Sequence, residues 1–193
     1  MTPHSINTQS NFVSGWYSRS AEDLDLLARL RGHIRAAPDR RQGTMSAGFV
    51  DLERKHSFDC TVPRTLITEY RAYLQRSVDQ YIAQYPWCNR YSAFDLEYPA
   101  VIQQYPPGGH FQVWHTERAG SSPRISSRHL VFMTYLNTLD NGSGHTEFYH
   151  QKLSIKPEEG LTVIWPADWQ FTHRGQPVED FEKLIVTGWL RYI

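Results

Sequence analysis

The stretch HFQVWHTE, residues 110–117, has the alternation of a β-strand. Successive strand side chains point to opposite faces, so Phe111, Val113, His115 and Glu117 share one face and Gln112, Trp114 and Thr116 the other. The face carrying Phe111 and Val113 should turn inward, taking an imidazole and a carboxylate with it. Burying those two groups is costly unless something pairs with them, and a divalent cation is the natural partner. Two ligands hold a metal poorly. Of the nine histidines, His173 in WQFTHRG is the best placed third ligand, just after an aromatic-rich segment and before the last strand. Two histidines and one carboxylate would leave about three octahedral positions open, the arrangement of non-haem Fe(II) centres. The competing reading is an exposed His-x-Glu pair at a strand end, a pattern common by chance.

On either side of this stretch the chain divides by period. Ser20 and Asp23 form a capping-box-like pair ahead of Leu24, Leu27, Leu30 and Ile34, which predicts a helix stopping near Pro38. After Pro63, Leu66, Tyr70, Tyr73, Leu74, Ile82 and Tyr85 recur at helical spacing and predict a second helix ending before Pro86. From about residue 92 the pattern shortens to strands: YSAFDLEYPAVIQQY, HFQVWHTE, RHLVFMTYLN, TEFYH, LTVIW and KLIVTGWLRYI, separated by the turn-forming PPGG, DNGSG, KPEEG and HRGQP. Helices followed by strands predict an α+β, mainly β, protein in which N-terminal helices brace a jelly-roll double sheet. The expected organisation is a single domain over 1–193, with 1–90 mainly helical support and 91–193 the β core. The first dozen residues, mostly polar, are expected to be loose.

Composition narrows the function classes. The 193 residues are 40% hydrophobic and 21% charged, and aromatic content of 13% favours a β-rich body. Twenty basic and twenty acidic side chains cancel, so no global field favours nucleic acid or a membrane surface. The sequence has no apolar run of membrane-spanning length and no hydrophobic signal-peptide core near its start, and the expected location is cytoplasmic. Cys60 and Cys88 read as two reduced thiols, with a single disulfide as the alternative.

The last strand bears on the metal reading. In EKLIVTGWLRYI, Lys183, Ile185, Thr187 and Trp189 share one face while Leu184, Val186 and Leu190 share the other, and both faces are apolar enough to be covered. If Lys183 lies inside, its ammonium needs an anion. Ten residues after His173, with Thr187 four further on, it would suit the distal carboxylate of a bound organic acid. Alternatively Lys183 starts its strand at the surface and snorkels outward.

From about Tyr105 to Ile193, somewhat under half of the chain, the sequence resembles the 2-oxoglutarate- and Fe(II)-dependent dioxygenases, in their prolyl 4-hydroxylase-like branch. The resemblance runs through QYPPGGHFQVWHTE, MTYLN, GSGHTEF, IKPEEGLTVIWPADWQFTHRG and KLIVTGWLRY, in that order. It implies a double-stranded β-helix (jelly roll) with helices packed outside. It implies Fe(II) held by His115, Glu117 and His173, with 2-oxoglutarate and O2 as cosubstrates. Lys183 and Thr187 would bind the distal carboxylate of 2-oxoglutarate, Tyr105 and Tyr135 would lie near it, and Trp189 would stand near the metal as a candidate substrate contact, against plain packing. The usual acid in that branch is Asp, and this chain has Glu117, whose extra methylene lengthens the reach but keeps the carboxylate. His145 replaces a small or acidic residue in the glycine turn and reads as a surface loop residue.

The implied reaction is hydroxylation of an unactivated C–H bond with release of succinate and CO2, on a prolyl or other amino acid residue of a peptide. A free amino acid or small metabolite is the nearest alternative. A different class is a catalytically silent, metal-binding jelly-roll module, which would have no need of an interior cation at position 183. Nucleic acid is an unexpected substrate, because no wide basic groove is evident. The polar, basic RAGSSPRISSRH, residues 118–129, follows the acid and offers Arg118, Arg124 and Arg128 as substrate contacts, against an ordinary solvated loop. The arginines of residues 29–41 read as the wet face of a helix.

Overall fold

The final strand, Lys183–Tyr192 (β14), is the axis of the computed structural model, which describes residues 1–8, 11–45, 48–120 and 122–193. Its alternation separates two apolar cores. Leu184, Val186 and Leu190 face the helices, whereas Ile185 and Trp189 face the space between two sheets.

All strand pairs are antiparallel. The larger sheet has the order β1 (Thr2–Pro3), β2 (Ser14–Tyr17), β12 (Leu161–Pro166), β9 (Arg128–Tyr135), β14, β7 (Val101–Tyr105), β5 (Phe58–Thr61) and β3 (Arg41–Gln42). The short β6 (Phe94–Leu96) pairs with the far end of β14. The smaller sheet runs β11 (Leu153–Ile155), β10 (Thr146–Phe148), β13 (His173–Gly175), β8 (His110–His115) and β4 (Lys55–His56). Two facing antiparallel sheets, with the chain crossing repeatedly between them, make a double-stranded β-helix.

Helix α1 (Ala21–Ala36) begins at Ser20, whose hydroxyl accepts the Asp23 N–H at 3.2 Å. Helix α2 (Arg64–Gln84) follows Pro63 and ends ahead of Pro86. Their apolar stripes, including Leu27, Leu30, Ile34, Tyr70 and Leu74, cover the outer face of the larger sheet. Three buried hydroxyls between α2 and the sheet satisfy one another in a row: Tyr70 Oη lies 2.9 Å from Thr134 Oγ1, itself 2.8 Å from Thr162 Oγ1. The α1 arginines are tied down rather than free in water, Arg29 to Asp25 and Glu69, Arg31 to Glu159, and Arg35 to Glu182. The thiols of Cys60 and Cys88 are unpaired.

The N-terminal half departs from the expected helical support. It also supplies five strands, four of which extend the larger sheet at its two ends and one of which caps the smaller sheet. Each has only two to four residues, too few for alternation to show in a sequence. Residues 2–8, expected to be loose, form β1 and a turn of 3-10 helix, while residues 9 and 10 lie outside the described residues. In the polar segment 118–129 a one-turn helix α3 (Pro123–Ser126) precedes β9, and residue 121 is outside the described set.

Because Leu30 is fully buried where α1 meets the larger sheet, Leu30→Ala should destabilise the protein by roughly 2–5 kcal/mol. Chemical denaturation measures this; a loss below about 1 kcal/mol would show that the helix is not structural support for the sheet.

Candidate metal and cosubstrate site

Strands β8 and β13 are neighbours in the smaller sheet, and their register sets His115 directly opposite His173. The two rings stand 4.3 Å apart, centroid to centroid. In each ring Nδ1 meets a backbone carbonyl two residues upstream, Val113 O at 2.8 Å and Phe171 O at 2.9 Å. A carbonyl only accepts, so Nδ1 carries the proton and the lone pair of each neutral ring is left on Nε2. Both Nε2 atoms face Glu117 Oε1, at 3.6 and 3.5 Å. Stacking on Phe111 at 3.9 Å holds His115, and an edge contact with Trp165 and a tilted contact with Phe148 hold His173.

Three ligand atoms, all within 4.8 Å of one another, could hold a metal ion here. Adjacent ligands on a metal with bonds of about 2.1 Å sit roughly 3 Å apart, so a small contraction closes the set. Protonation suits the same purpose. Burial would raise the Glu117 carboxyl, but hydrogen bonds and positive charge from His115 and His173 in their protonated forms outweigh it and hold the group well below the usual carboxylate range; a cation bound at the two Nε2 atoms would take the place of those protons. His173 is pushed down by burial and then by the neighbouring His115. A carboxylate with a neutral imidazole is the form in which such groups bind metal.

The triad borders a cavity of about 560 Å³, within the range of small-ligand sites. Lys183 lies in its wall and is only 2% exposed. Its Nζ donates to Gly144 O at 2.8 Å and sits 4.7 Å above the Tyr105 ring. Gly144 reaches this position with φ of +69°, which glycine adopts without strain. No carboxylate among the described residues pairs with Lys183, and burial alone pushes its pKa down to about 7. A buried ammonium without a counter-ion marks a place for an anion.

The other expected residues occupy distinct positions. Tyr105 lines the cavity and donates to Gln103 Oε1 at 2.8 Å; burial, then Asp59 and Glu117, keep its hydroxyl protonated. Thr187 also lines it, two rungs along β14 from Lys183, but its hydroxyl proton goes to Phe132 O at 2.9 Å. Tyr135 stands one layer behind, donating to Thr146 Oγ1 at 2.8 Å, and it is Thr146 that reaches the cavity. Trp189 donates from Nε1 to Glu117 Oε2 at 3.0 Å. Arg128 lies on the Trp189 ring and Arg124 at the cavity edge, whereas Arg118 is ion-paired to Asp168 away from the cavity lining. His145 is half-buried, bonded through Nδ1 to Ser154 Oγ at 2.9 Å.

A second wall was not foreseen. Lys55 on β4 and Asp59 on β5 form a buried pair at 2.9 Å, joined to Gln103 at 3.2 Å and through it to Tyr105. Lys55, Ser57 and Asp59 alternate in KHSFD, a period-2 polar signal that could have placed them together on one strand face.

Residues 100–191, close to half of the chain, match the family described as the 2OG-Fe(II) oxygenase superfamily. No curated protein sequence matches the chain. Among solved structures, the fold resembles a prolyl hydroxylase from Trichoplax adhaerens in complex with a hypoxia inducible factor peptide fragment. That likeness has a TM-score of 0.77 at 15% identity and covers 97% of this chain and 87% of the other. A Pseudomonas putida prolyl-4-hydroxylase gives 0.71 at 18% identity, covering 95% and 94%. The viral collagen prolyl hydroxylase of Paramecium Bursaria Chlorella virus-1, in its 2OG complex, gives 0.66 at 18% identity, covering 95% and 98%. At these identities the likeness is one of fold.

The buried lysine makes a stability prediction for the ligand-free protein. Its folded pKa of about 7 lies below the ordinary 10.5, so the unfolded chain binds more protons between those values. The burial cost is complete below pH 7 and fades as pH rises toward 10.5. Lys183→Met should therefore be more stable than the wild type at pH 6, on the order of 1–4 kcal/mol, with the gain shrinking by pH 9. Thermal melts across pH measure this; a variant less stable than the wild type at pH 6 would mean the ammonium is already neutralised.

Proposed function

We propose, from the premise that this chain is a 2-oxoglutarate- and Fe(II)-dependent dioxygenase, that it hydroxylates an unactivated C–H bond of a prolyl residue in a peptide. The observation that carries the reading is a pair of complementary features in one cavity: three convergent ligand atoms and an unpaired buried ammonium. His115, Glu117 and His173 would hold Fe(II). Lys183 would receive the distal carboxylate of 2-oxoglutarate. When bound, Fe(II) and 2-oxoglutarate would supply oxidative decarboxylation, giving succinate and CO2 and placing one oxygen atom of O2 in the substrate C–H bond.

The chain's own groups orient and exclude. Ile185 and Met133 add apolar lining to the cavity that holds Lys183 and the triad, so the ammonium acts in a medium that strengthens its attraction for a carboxylate. Tyr105 lies beside Lys183 and keeps its hydroxyl on Gln103, so it offers a neutral phenol to the cosubstrate. Thr187, as placed, offers lone pairs rather than a proton, which leaves Lys183 as the principal anion-binding group.

Support for a peptide over a free amino acid comes from aromatic rings at the triad's end of the smaller sheet, outside the cavity lining and on the face of β8 opposite His115. The register Phe148 to His173 to His115 puts the turn after β10 at the same end of the smaller sheet as the triad. There Trp114, Tyr149 and Trp169 are 37%, 59% and 60% exposed. They form an unbroken series with His150 through ring contacts of 5.3, 5.1 and 5.7 Å. Exposed aromatic rings at such spacing suit an extended, proline-containing chain. Prolyl chemistry is further supported by the likeness of fold to prolyl hydroxylases.

Anaerobic addition of Fe(II) and 2-oxoglutarate should give a weak visible charge-transfer band. Oxygen should then yield succinate and a gain of one oxygen atom on a proline-containing peptide. A wild type that gives neither band nor succinate, like His173→Ala, would defeat the oxygenase reading. For the peptide, Trp169→Ala should raise its KM severalfold and leave the KM for 2-oxoglutarate unchanged. Equal turnover of free proline and peptide would instead favour the small-metabolite alternative.

A further inference from the structure

Glu117 has two carboxylate oxygens, and they are treated differently. Oε1 faces both imidazoles. Oε2 turns the other way, accepting the Trp189 indole N–H at 3.0 Å and lying 3.7 Å from Arg128 Nη1. Arg128 also donates from Nη1 to the backbone carbonyl of Glu117 at 2.9 Å, and its guanidinium lies 3.4 Å from the centre of the Trp189 ring. Behind it stands Glu97, only 4% exposed, with Oε2 3.6 Å from Arg128 Nε and Oε1 ion-paired to Arg124. The Glu97 backbone N–H donates to Trp189 O at 2.7 Å, which closes the arrangement on itself.

A buried carboxylate such as Glu97 is costly to keep, and it lies outside the cavity lining, so it touches neither substrate nor metal. Of its two cations, Arg124 hydrogen-bonds it and Arg128 stands 3.6 Å away, and Arg128 is the one that reaches Glu117. The geometry matters because glutamate has one more torsion than aspartate and can swing both oxygens toward a cation. A carboxylate can bind a metal through one oxygen or through two. If Glu117 used both, it would fill a position that a chelating 2-oxo acid needs. Groups that hydrogen-bond a metal-binding carboxylate commonly set which of its oxygens is presented.

We propose that Glu97, Arg128 and Trp189 are positioning residues that hold Oε2 away from the metal, so that Glu117 offers it a single oxygen and the remaining positions stay open. The inference rests on the function proposed above. It explains how a longer acid at position 117 is compatible with cosubstrate binding. It also assigns Arg128 to the acid ligand rather than to the substrate.

The test compares metal binding with 2-oxoglutarate binding in Trp189→Phe, Glu97→Gln and the wild type. Co(II) absorption reports the metal alone, and anaerobic titration of the charge-transfer band with Fe(II) reports the cosubstrate. Trp189→Phe keeps the ring under Arg128 but removes the donor. Metal affinity should be unchanged or greater, while 2-oxoglutarate affinity falls about tenfold. Glu97→Gln should shift both in the same sense by a smaller factor, although it contacts neither ligand. In a Glu117→Asp background, where the shorter acid no longer reaches the indole, Trp189→Phe should have little further effect.

Unchanged 2-oxoglutarate affinity in Trp189→Phe would overturn the proposal. So would parallel loss of metal and cosubstrate affinity, or an equal loss in the Glu117→Asp background, which would mean that the ring contacts 2-oxoglutarate directly. A wild type with no charge-transfer band fails the proposed function itself, a result separate from any of these.

Discussion

An ammonium group buried without a carboxylate is the constraint around which the rest of the structure is arranged. Lys183 reaches the interior because it opens the longest strand on the parity of Ile185 and Trp189, and the other parity is already covered by helices. Among the described residues only a backbone carbonyl and an aromatic face receive it. Holding a charge in this way is unfavourable for the ligand-free protein, and under the proposed function it would make the cavity selective for an anion that carries its own charge to the right depth. The strand that supplies the cation also supplies Trp189, which holds the acid of the triad. The proposed anion site and metal site would therefore be spaced by the rise of one strand.

The two-sheet architecture provides the second requirement, convergence from distant parts of the chain. His115 ends one strand, Glu117 follows two residues beyond it, and His173 starts the neighbouring strand. Backbone carbonyls fix the proton on Nδ1 of each ring, so secondary structure decides which nitrogen is free. The helices serve this arrangement indirectly, by burying the outer face of the larger sheet and holding β14 against β9 and β7. The short N-terminal strands close the far wall, where Lys55 and Asp59 brace Gln103 and hence Tyr105.

Much of this was legible in the sequence, for reasons that differ by residue. Long strands such as β9 and β14 and both helices have enough turns of their period to be recognised, and Ser20 with Asp23 marks a helix start by local chemistry. His115 with Glu117 could be placed on one face by parity alone. The direction of Lys183 could not, because a lysine at the start of a strand reads equally well as a surface residue; only the neighbouring strands decide it. Strands of two residues such as β3 and β4 carry no period at all. The partnership of Glu97 with Arg128 and Glu117 joins three loop and strand ends through tertiary geometry, and no local pattern announces it. Arg118, beside the acid in sequence, is drawn off by Asp168, which the sequence places fifty residues away.

The central claim is that Lys183 awaits a dicarboxylate whose other end meets a metal at the triad. A cation pushed down to about 7 by burial should regain its proton when an anion arrives. Calorimetric titration of the metal-loaded protein with 2-oxoglutarate near pH 8, in buffers of different ionisation enthalpy, counts the protons taken up. Uptake of about one proton, absent in Lys183→Ala, is the expected result. Binding with no proton uptake, the same in wild type and variant, would contradict it.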